Sequence, residues 1–294
     1  MQEKLITVVT PTYNRAYKLS DCYNSLLGQT NKSFVWMIID DGSTDKTEEL
    51  VNTWTQEKKI QIKYLKKVNG GKASALNLAF EHIKTEYWVC LDSDDIFVKN
   101  TIAIALKELS KIKKKDNICG ILALRNNPDG TVMGGKRIPS DVTVTTTLEL
   151  RNKYKIKSEY IEFYKSDITK KYRYPEIPGE KFISSGYYSQ IINEEYYYKV
   201  SQANLCICEY LDDGLTQNKN KVIAKNPKGY TLIMLNGMKN SQSIYNKSLW
   251  CLKYISGSFL SGYNIKKIIN DSYRPKLTFL LLPFGWILKH MRFK

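Results

Sequence analysis

Apolar positions in this chain come first in short runs, each ending abruptly in a polar cluster. Leu5 to Thr10 is a β-branched run that closes on Pro11-Thr-Tyr-Asn-Arg15, after which Leu19, Cys22, Tyr23, Leu26 and Leu27 recur at helical spacing. Phe34 to Ile39 reads as a second buried strand. It ends in Asp40-Asp-Gly-Ser-Thr-Asp45, where Ser43 or Thr44 is placed to cap a helix through Trp54. Ile60 to Leu65 alternates as a strand, and Asn69-Gly-Gly-Lys-Ala-Ser-Ala-Leu-Asn77 opens a helix with Leu76, Ala79, Phe80 and Ile83 on its apolar face. Tyr87 to Leu91 is apolar throughout and stops at Asp92, Asp94 and Asp95, with a helix expected from about Asn100. A fifth strand, Ile118 to Leu124, follows a Lys-rich helix end at 107–115, and Asn127-Pro-Asp-Gly130 is a hairpin turn. Strand and helix thus alternate four times in about 110 residues, which predicts an α/β fold with a mostly parallel sheet flanked by helices on both faces.

Beyond this the pattern loosens. Val142 to Tyr174 is polar and Tyr-rich, with helix expected in part and no clean period. Tyr174 to Gly186 forms a Pro/Gly loop carrying Glu176 and Glu180. Ile191 to Val200 reads as helix, Leu205 to Leu211 as strand, and Asp212-Asp-Gly214 as a turn. After Asn218 the chain becomes basic and helical, with Leu249, Leu252, Ile255, Phe259 and Leu260 at helical spacing.

Charge sharpens this division. Of the net +16, +13 lies between Lys219 and Lys294, where fourteen Lys and Arg stand against Asp271 alone, so the first 218 residues carry only +3. A basic C-terminal module with an anionic partner is expected, attached to a domain of ordinary balance. Within it, Leu277-Thr-Phe-Leu-Leu-Leu-Pro-Phe-Gly-Trp-Ile-Leu288 is apolar, broken by Pro283 and followed by Lys289, His290, Arg292 and Lys294. No window approaches the roughly 18 consecutive apolar residues of a membrane span. The stretch suits an interfacial segment at an anionic lipid surface, or a helix packed on the catalytic core with its charges solvated. The N-terminus enters a strand without a signal sequence, so the expected location is cytoplasmic, peripheral at the inner face of the cell membrane.

Six cysteines sit singly in apolar surroundings, with Cys206 and Cys208 sharing a strand face, and read as small buried hydrophobes instead of zinc ligands or disulfides. With only His82 and His290 present, acid and base chemistry falls to carboxylates. At the carboxyl end of a buried strand, where α/β sheets hold their ligands, the cluster of Asp92, Asp94 and Asp95 requires a cation. Hard oxygen donors suit Mg²⁺ or Mn²⁺ carrying phosphate. The competing reading is a helix cap before the helix at about Asn100. A basic isoelectric point and 21 tyrosines also raise a polyanion or nucleic-acid binder. Against it, the basic residues avoid the sheet edge and no RNA-binding motif appears, so nucleic acid is not an expected partner.

Pro11-Thr-Tyr-Asn-Arg15, Asp40-Asp-Gly-Ser43, Asn69-Gly-Gly-Lys72 with Asn77, and Asp92-Ser-Asp-Asp95 occur in that order at strand ends. Together they resemble the family 2 glycosyltransferases of the GT-A fold, in particular the bacterial surface-polysaccharide type. The resemblance is strong over about the first 125 residues, moderate over Pro175 to Gly186 and loose elsewhere. It implies a GT-A, Rossmann-like catalytic domain over 1–218, with a nucleotide-sugar half to about 125 and an acceptor half from about 126, and a basic helical extension over 219–294. It implies that Pro11, Thr12, Tyr13 and Arg15 hold the nucleotide, the Tyr13 ring being available to stack on the base. Asp41 would accept from the uracil imide N–H. Gly70 and Gly71 would let the backbone approach, Lys72 would meet phosphate, and Asn77 belongs to the same segment. Asp92, Ser93 and Asp94 match the family's Asp-x-Asp, with Asp94 the more direct metal ligand and Asp92 beside it.

The resemblance further implies an inverting transfer from a UDP-sugar, with Mn²⁺ or Mg²⁺, to a saccharide, a lipid-linked saccharide or a growing surface polysaccharide. Direct transfer to polyprenyl phosphate is the alternative within the enzyme class. A loop carboxylate of the family deprotonates the acceptor hydroxyl. Here Glu180 matches it and Glu176 is the second candidate, with Lys181 standing where the family places an Asp and serving to keep Glu180 ionised. A homo-oligomer interface would fall in the Tyr-rich middle of the chain.

Overall fold

The computed structural model describes residues 3–113, 116–208 and 218–293, which fall into two compact units. The first unit contains residues 3–173 and 195–208, the second 174–194 and 218–293. The first begins β1 (Ile6–Thr12), α1 (Ala16–Leu27), β2 (Phe34–Asp40), α2 (Thr47–Glu57), β3 (Ile62–Lys66), α3 (Lys72–His82), β4 (Tyr87–Cys90), β5 (Ile96–Phe97) and α4 (Thr101–Leu109). It continues with β6 (Ile118–Leu124), β7 (Val144–Thr145), α5 (Thr147–Asn152), β8 (Tyr160–Lys165) and α6 (Ser166–Thr169). The chain then forms α7 (Gly186–Ile192) in the second unit and returns to the first as β9 (Tyr197–Val200) and β10 (Cys206–Ile207). Helices α8 (Lys219–Lys225), α9 (Pro227–Asn240), α10 (Ile244–Leu260), α11 (Ile265–Asn270) and α12 (Pro275–Arg292) complete the second.

The first unit is built on an eight-stranded sheet in the order β3-β2-β1-β4-β8-β6-β9-β7. β1 pairs in parallel with β2 and β4, and β2 with β3, so the first four strands expected from the sequence form one parallel block. Alternate residues of these strands serve opposite faces. Ile6, Val8, Trp36 and Ile38 pack with Leu19, Tyr23 and Leu26 of α1, Val51 and Trp54 of α2, and Ile102 and Leu109 of α4. The rings of Tyr23 and Trp54 stack at 4.2 Å, and buried Trp36 satisfies its indole by donating to Thr10 Oγ1 at 2.8 Å. Each such fully buried side chain stabilises the fold by about 1.5–3 kcal/mol. Val9, Met37 and Ile39 point the other way, to the side covered by α3, where Phe80 meets Trp88 edge-on at 4.9 Å. The result is a mixed α/β unit with a mostly parallel central sheet and helices on both faces.

Several local expectations are corrected. The Tyr-rich middle contains a full strand, β8, antiparallel to both β4 and β6 and lying between them. Ile161 and Phe163 enter the main core, while Tyr164 stacks on Trp88 at 4.9 Å from the opposite face. This short alternation has a strand period, but the polar and helical residues around it hide it. Gly120 of β6 is required by the pairing, because a Cβ there would lie 1.7 Å from the Phe163 carbonyl oxygen. Ile191 to Val200 is not one helix: α7 ends at Ile192 and Tyr197–Val200 pairs in parallel with β6. Three consecutive tyrosines favour the sheet over the apparent helical period. The strand expected over Leu205 to Leu211 is Cys206–Ile207, antiparallel to β5, and the remainder with the Asp212-Asp-Gly214 turn lies outside the described residues. Neither Ser43 nor Thr44 caps α2. Asp45 accepts from the Thr47 N–H at 3.1 Å and the Thr47 hydroxyl at 2.6 Å.

In the second unit, small residues set how closely helices approach. A Cβ on Gly237 of α9 would meet the Trp250 ring of α10 at 2.4 Å, and one on Gly257 of α10 would meet Thr231 Oγ1 of α9 at 2.7 Å. Trp250, Tyr254, Ile255, Met238 and Ile268 are buried there, with the Tyr254 hydroxyl donating to the Ile268 carbonyl at 2.9 Å. The segment 174–194 adds buried Tyr174, stacked on Tyr188 at 5.2 Å.

Candidate active site

Because β1, β2 and β4 are parallel neighbours, their carboxyl ends bring three polar loops to one sheet edge. The first two loops are pinned to each other. Asn14 adopts a left-handed backbone, φ 52°, which lets its N–H reach Ser43 Oγ at 2.9 Å while its side-chain oxygen accepts from the Thr44 N–H at 2.8 Å. Beside it, Pro11 is half-buried, Thr12 is buried, the Tyr13 ring is 47 % exposed, and Arg15 lies over the Tyr17 ring at 5.7 Å.

Asp40 and Asp41 share a sequence position type and do different work. Asp40 is internal, taking the Ser43 N–H at 2.7 Å and the Tyr64 hydroxyl at 2.5 Å. Asp41 faces the 69–72 segment: Oδ1 accepts from the Gly70 N–H and Lys67 Nζ, each at 2.9 Å, and Oδ2 accepts from the Gly71 N–H at 2.7 Å. This carboxylate therefore holds the glycine turn in place. Gly71, at φ 89°, is the residue that turns the chain into α3, and a Cβ on Gly70 would lie 2.8 Å from Ser74 Oγ. Oδ2, with a single backbone donor, retains acceptor capacity for a further N–H.

Lys72, the first residue of α3, reaches across to Asp92 Oδ1 at 2.5 Å. Asn77 is buried further along the same helix. Asp92 to Asp95 is a tight turn closed by the Asp95 N–H on the Asp92 carbonyl at 3.0 Å, with Ser93 buried inside it. Burial opposes the ionisation of Asp92, but Lys72 and then Arg125 more than offset it and hold Asp92 below the usual carboxylate range. Asp94 has the reverse balance. Burial and then repulsion from Asp92 push it up, and no ion pair relieves it among the described residues. A hard divalent cation bound to Asp94 with Asp92 beside it would supply that compensation, so the donor set fits Mn²⁺ or Mg²⁺.

Asp95 is a structural carboxylate. Its partner is Arg125, at the end of β6, which also donates to the Tyr160 carbonyl at 3.0 Å, contacts Cys208 Sγ at 3.4 Å and lies 3.8 Å from Asp92. Burial pushes Asp95 up against the pull of this guanidinium. Arg125 and Lys67 were not singled out from the sequence. The signal for Arg125 was a lone cation directly after the apolar run Ile118 to Leu124; Lys67, at the end of a half-exposed strand, had none.

The two candidate bases lie in the second unit. Glu176 is exposed. Glu180 is half-buried and clasped by the start of α9: Oε1 accepts from the Lys228 N–H and Oε2 from the Gly229 N–H, both at 2.8 Å. The clasp is reciprocal, since Asn226 Oδ1 accepts from the N–H groups of Lys181 at 2.8 Å and Phe182 at 3.0 Å. The carboxylate thus satisfies two of the otherwise orphaned donors at a helix N-terminus and meets the positive end of its dipole. Each oxygen keeps a lone pair beyond the one engaged.

Comparison with known proteins places this geometry in context. Over 107 residues the chain is 42% identical to a protein described as an uncharacterized glycosyltransferase of Rickettsia conorii, a match covering 36% of this chain and 17% of that one. It is 36% identical over 130 residues to the chondroitin synthase of Pasteurella multocida, covering 44% of this chain and 13% of the synthase. The matched stretch is therefore a small part of these relatives' length. Among solved structures, S. aureus TarS 1–349 in complex with UDP-GlcNAc superposes with a TM-score of 0.61 at 17% identity, covering 98% of this chain and 89% of that one. The mannosyltransferase PcManGT from Pyrobaculum calidifontis, in complex with GDP-Man and Mn²⁺, gives 0.59 at 15%, covering 98% and 81%. These neighbours share the GT-A fold, and the sequence model of glycosyl transferase family 2 matches residues 7–183, more than half of the chain. The chain belongs to glycosyl transferase family 2.

Proposed function

We propose that this protein transfers a sugar, with inversion, from a UDP-sugar to a hydroxyl of a saccharide, a lipid-linked saccharide or a growing surface polysaccharide. The observation that carries the donor half is the convergence of Asp41, Gly70, Gly71, Lys72, Asp92 and Asp94 at one sheet edge. Asp41 offers its remaining acceptor capacity to the imide N–H of uracil, a group that cytosine lacks. Tyr13 supplies an exposed ring for the base, and Pro11, Thr12 and Arg15 border it. Lys72 is poised to exchange Asp92 for a phosphate oxygen. Asp94 with Asp92 would hold Mn²⁺ or Mg²⁺, which when bound would neutralise charge on the diphosphate.

The acceptor hydroxyl needs a base, because it is a poor nucleophile at neutral pH. Glu180 takes that proton on the free lone pair of an oxygen while its backbone donors fix the carboxylate's orientation. Glu176 is the second candidate. As the acceptor oxygen bonds to the anomeric carbon, the bond from that carbon to the diphosphate breaks and UDP leaves, with the hydroxyl proton on the base. A lipid-linked acceptor would be met at the inner face of the cell membrane, where nucleotide-sugars are available.

The test is calorimetric titration of UDP into wild type and Asp94→Ala, with Mn²⁺ and with chelator. Metal-dependent binding by wild type that the variant loses is the expected result. Absence of UDP binding under every metal condition refutes the donor assignment; where UDP does bind, product analysis with UDP-sugars separates a saccharide acceptor from polyprenyl phosphate.

A further inference from the structure

Helix α12 packs with its small residues and displays its large ones. Thr278 and Gly285 are its buried positions, and a Cβ on Gly285 would lie 2.4 Å from Ile255 Cγ2 of α10. On the outer side Phe279, Leu280, Phe284, Trp286, Ile287 and Met291 are 47% to 72% exposed. At 3.6 residues per turn these six fall on one face, opposite Gly285. A helix serving only its own unit puts its large apolar residues inward, so an outward face of this size marks an interaction surface.

The geometry points to α12 as an in-plane anchor on an anionic lipid bilayer. Charge selects that occupant. The stretch 219–294 carries fourteen cations against Asp271, and Asp271 is itself paired with Lys267 at 2.6 Å. Lys276, exposed, stands on the same face at its first turn, so a cation lies beside the inserted side chains as headgroup phosphates would require. A second copy of the same surface would set two strongly cationic regions against each other. Trp286 and the phenylalanines suit the depth of the headgroup boundary, and no helix among the described residues is long and apolar enough to cross a membrane. The proposal extends the reading of the acceptor as lipid-linked but rests on the second unit alone.

Vesicle cosedimentation of the full chain tests it, and needs neither sugar donor nor acceptor, so its outcome is separable from that of the UDP titration. The expected result is binding to phosphatidylcholine vesicles containing phosphatidylglycerol, weakened by salt, with little binding to phosphatidylcholine alone. Leu280→Ser/Phe284→Ser/Ile287→Ser, all exposed positions, should weaken partitioning on the order of a hundredfold while leaving thermal unfolding unchanged. Lys276→Glu should cost at least about fivefold. Equal binding to neutral and anionic vesicles, or wild-type binding by the triple variant, overturns the proposal. So does a triple variant that converts a dimer to monomer when no vesicle binds, which would make the face a contact between copies.

Discussion

Glu180 holds two roles in one carboxylate, and the substitution Glu180→Gln separates them. In the wild type each oxygen accepts one backbone N–H of α9 at 2.8 Å. Glutamine keeps one acceptor oxygen and turns its NH₂ toward the other N–H, so one charge-assisted hydrogen bond becomes a donor facing a donor. Such a bond is worth about 1.5–3 kcal/mol, and the lost interaction with the helix dipole adds about 0.3–1 kcal/mol. Since the side chain is half-buried and solvent screens part of this, a loss of about 2 kcal/mol is expected. Urea unfolding followed by circular dichroism reads it as a lower midpoint at unchanged slope. Transfer by the folded variant, assayed well below its midpoint, should fall by about 10²–10⁴ in kcat with UDP affinity retained. A midpoint within error of wild type would refute the capping argument. A kcat that falls only in proportion to the unfolded fraction would refute the base assignment and leave Glu180 as a purely structural clasp.

Other expectations follow from single contacts. Arg125→Met strands Asp95 in the core without its cation and should cost about 3–5 kcal/mol in urea unfolding, with Arg125→Lys a poor rescue because the Tyr160 carbonyl also needs a donor in the guanidinium plane. Gly120→Ala puts a methyl 1.7 Å from the Phe163 carbonyl, so the β6–β8 ladder must shift; loss of soluble, cooperatively unfolding protein is expected, and a wild-type melting curve would contradict it. Asp41→Asn should raise the Kd for UDP by tenfold or more, since an amide cannot accept from both Gly70 and Gly71; unchanged calorimetric binding would remove Asp41 from the site. For Asp45, partial burial opposes ionisation but hydrogen bonds from Thr47 and the Ala16 N–H outweigh it and hold the group low. Its folded value being depressed, its contribution is present above the ordinary carboxylate range and is lost as pH falls through the lowered value, so Asp45→Ala, costing about 1 kcal/mol at pH 7, should cost progressively less as the pH is lowered into the acid range.

The parts of the molecule that could be read from the chain were those where one local signal carries the structure. Buried parallel strands are apolar end to end, and their abrupt polar termini must lie at one edge, so the grouping of Asp41, Gly70, Lys72 and Asp92 is legible in the amino-acid sequence. What stayed hidden depends on pairing at a distance. The short alternation Tyr160–Lys165 becomes a central strand only because β4 and β6 each offer it an edge. Tyr197 and Tyr198 look helical in isolation and extend because β6 is beside them. The capture of Glu180 by α9 joins residues 48 and 49 positions apart, and nothing in Gly179-Glu180-Lys181 announces it.

The reversed strand β8 has a consequence for the order in which the protein can be made. As the chain leaves the ribosome, β1 to β4 can assemble at once, yet the free edge of β4 has no partner until residues 160–165 have been synthesised. Strand β6 emerges earlier and must wait for the same segment before it joins the sheet. A nascent chain paused in that interval exposes the edge of β4 and both edges of β6, the kind of surface on which chains pair with one another. Fragments cut after about residue 125, the boundary that the sequence pattern suggests for a nucleotide-binding half, should therefore aggregate, whereas a cut that retains β8 removes the hazard at β4.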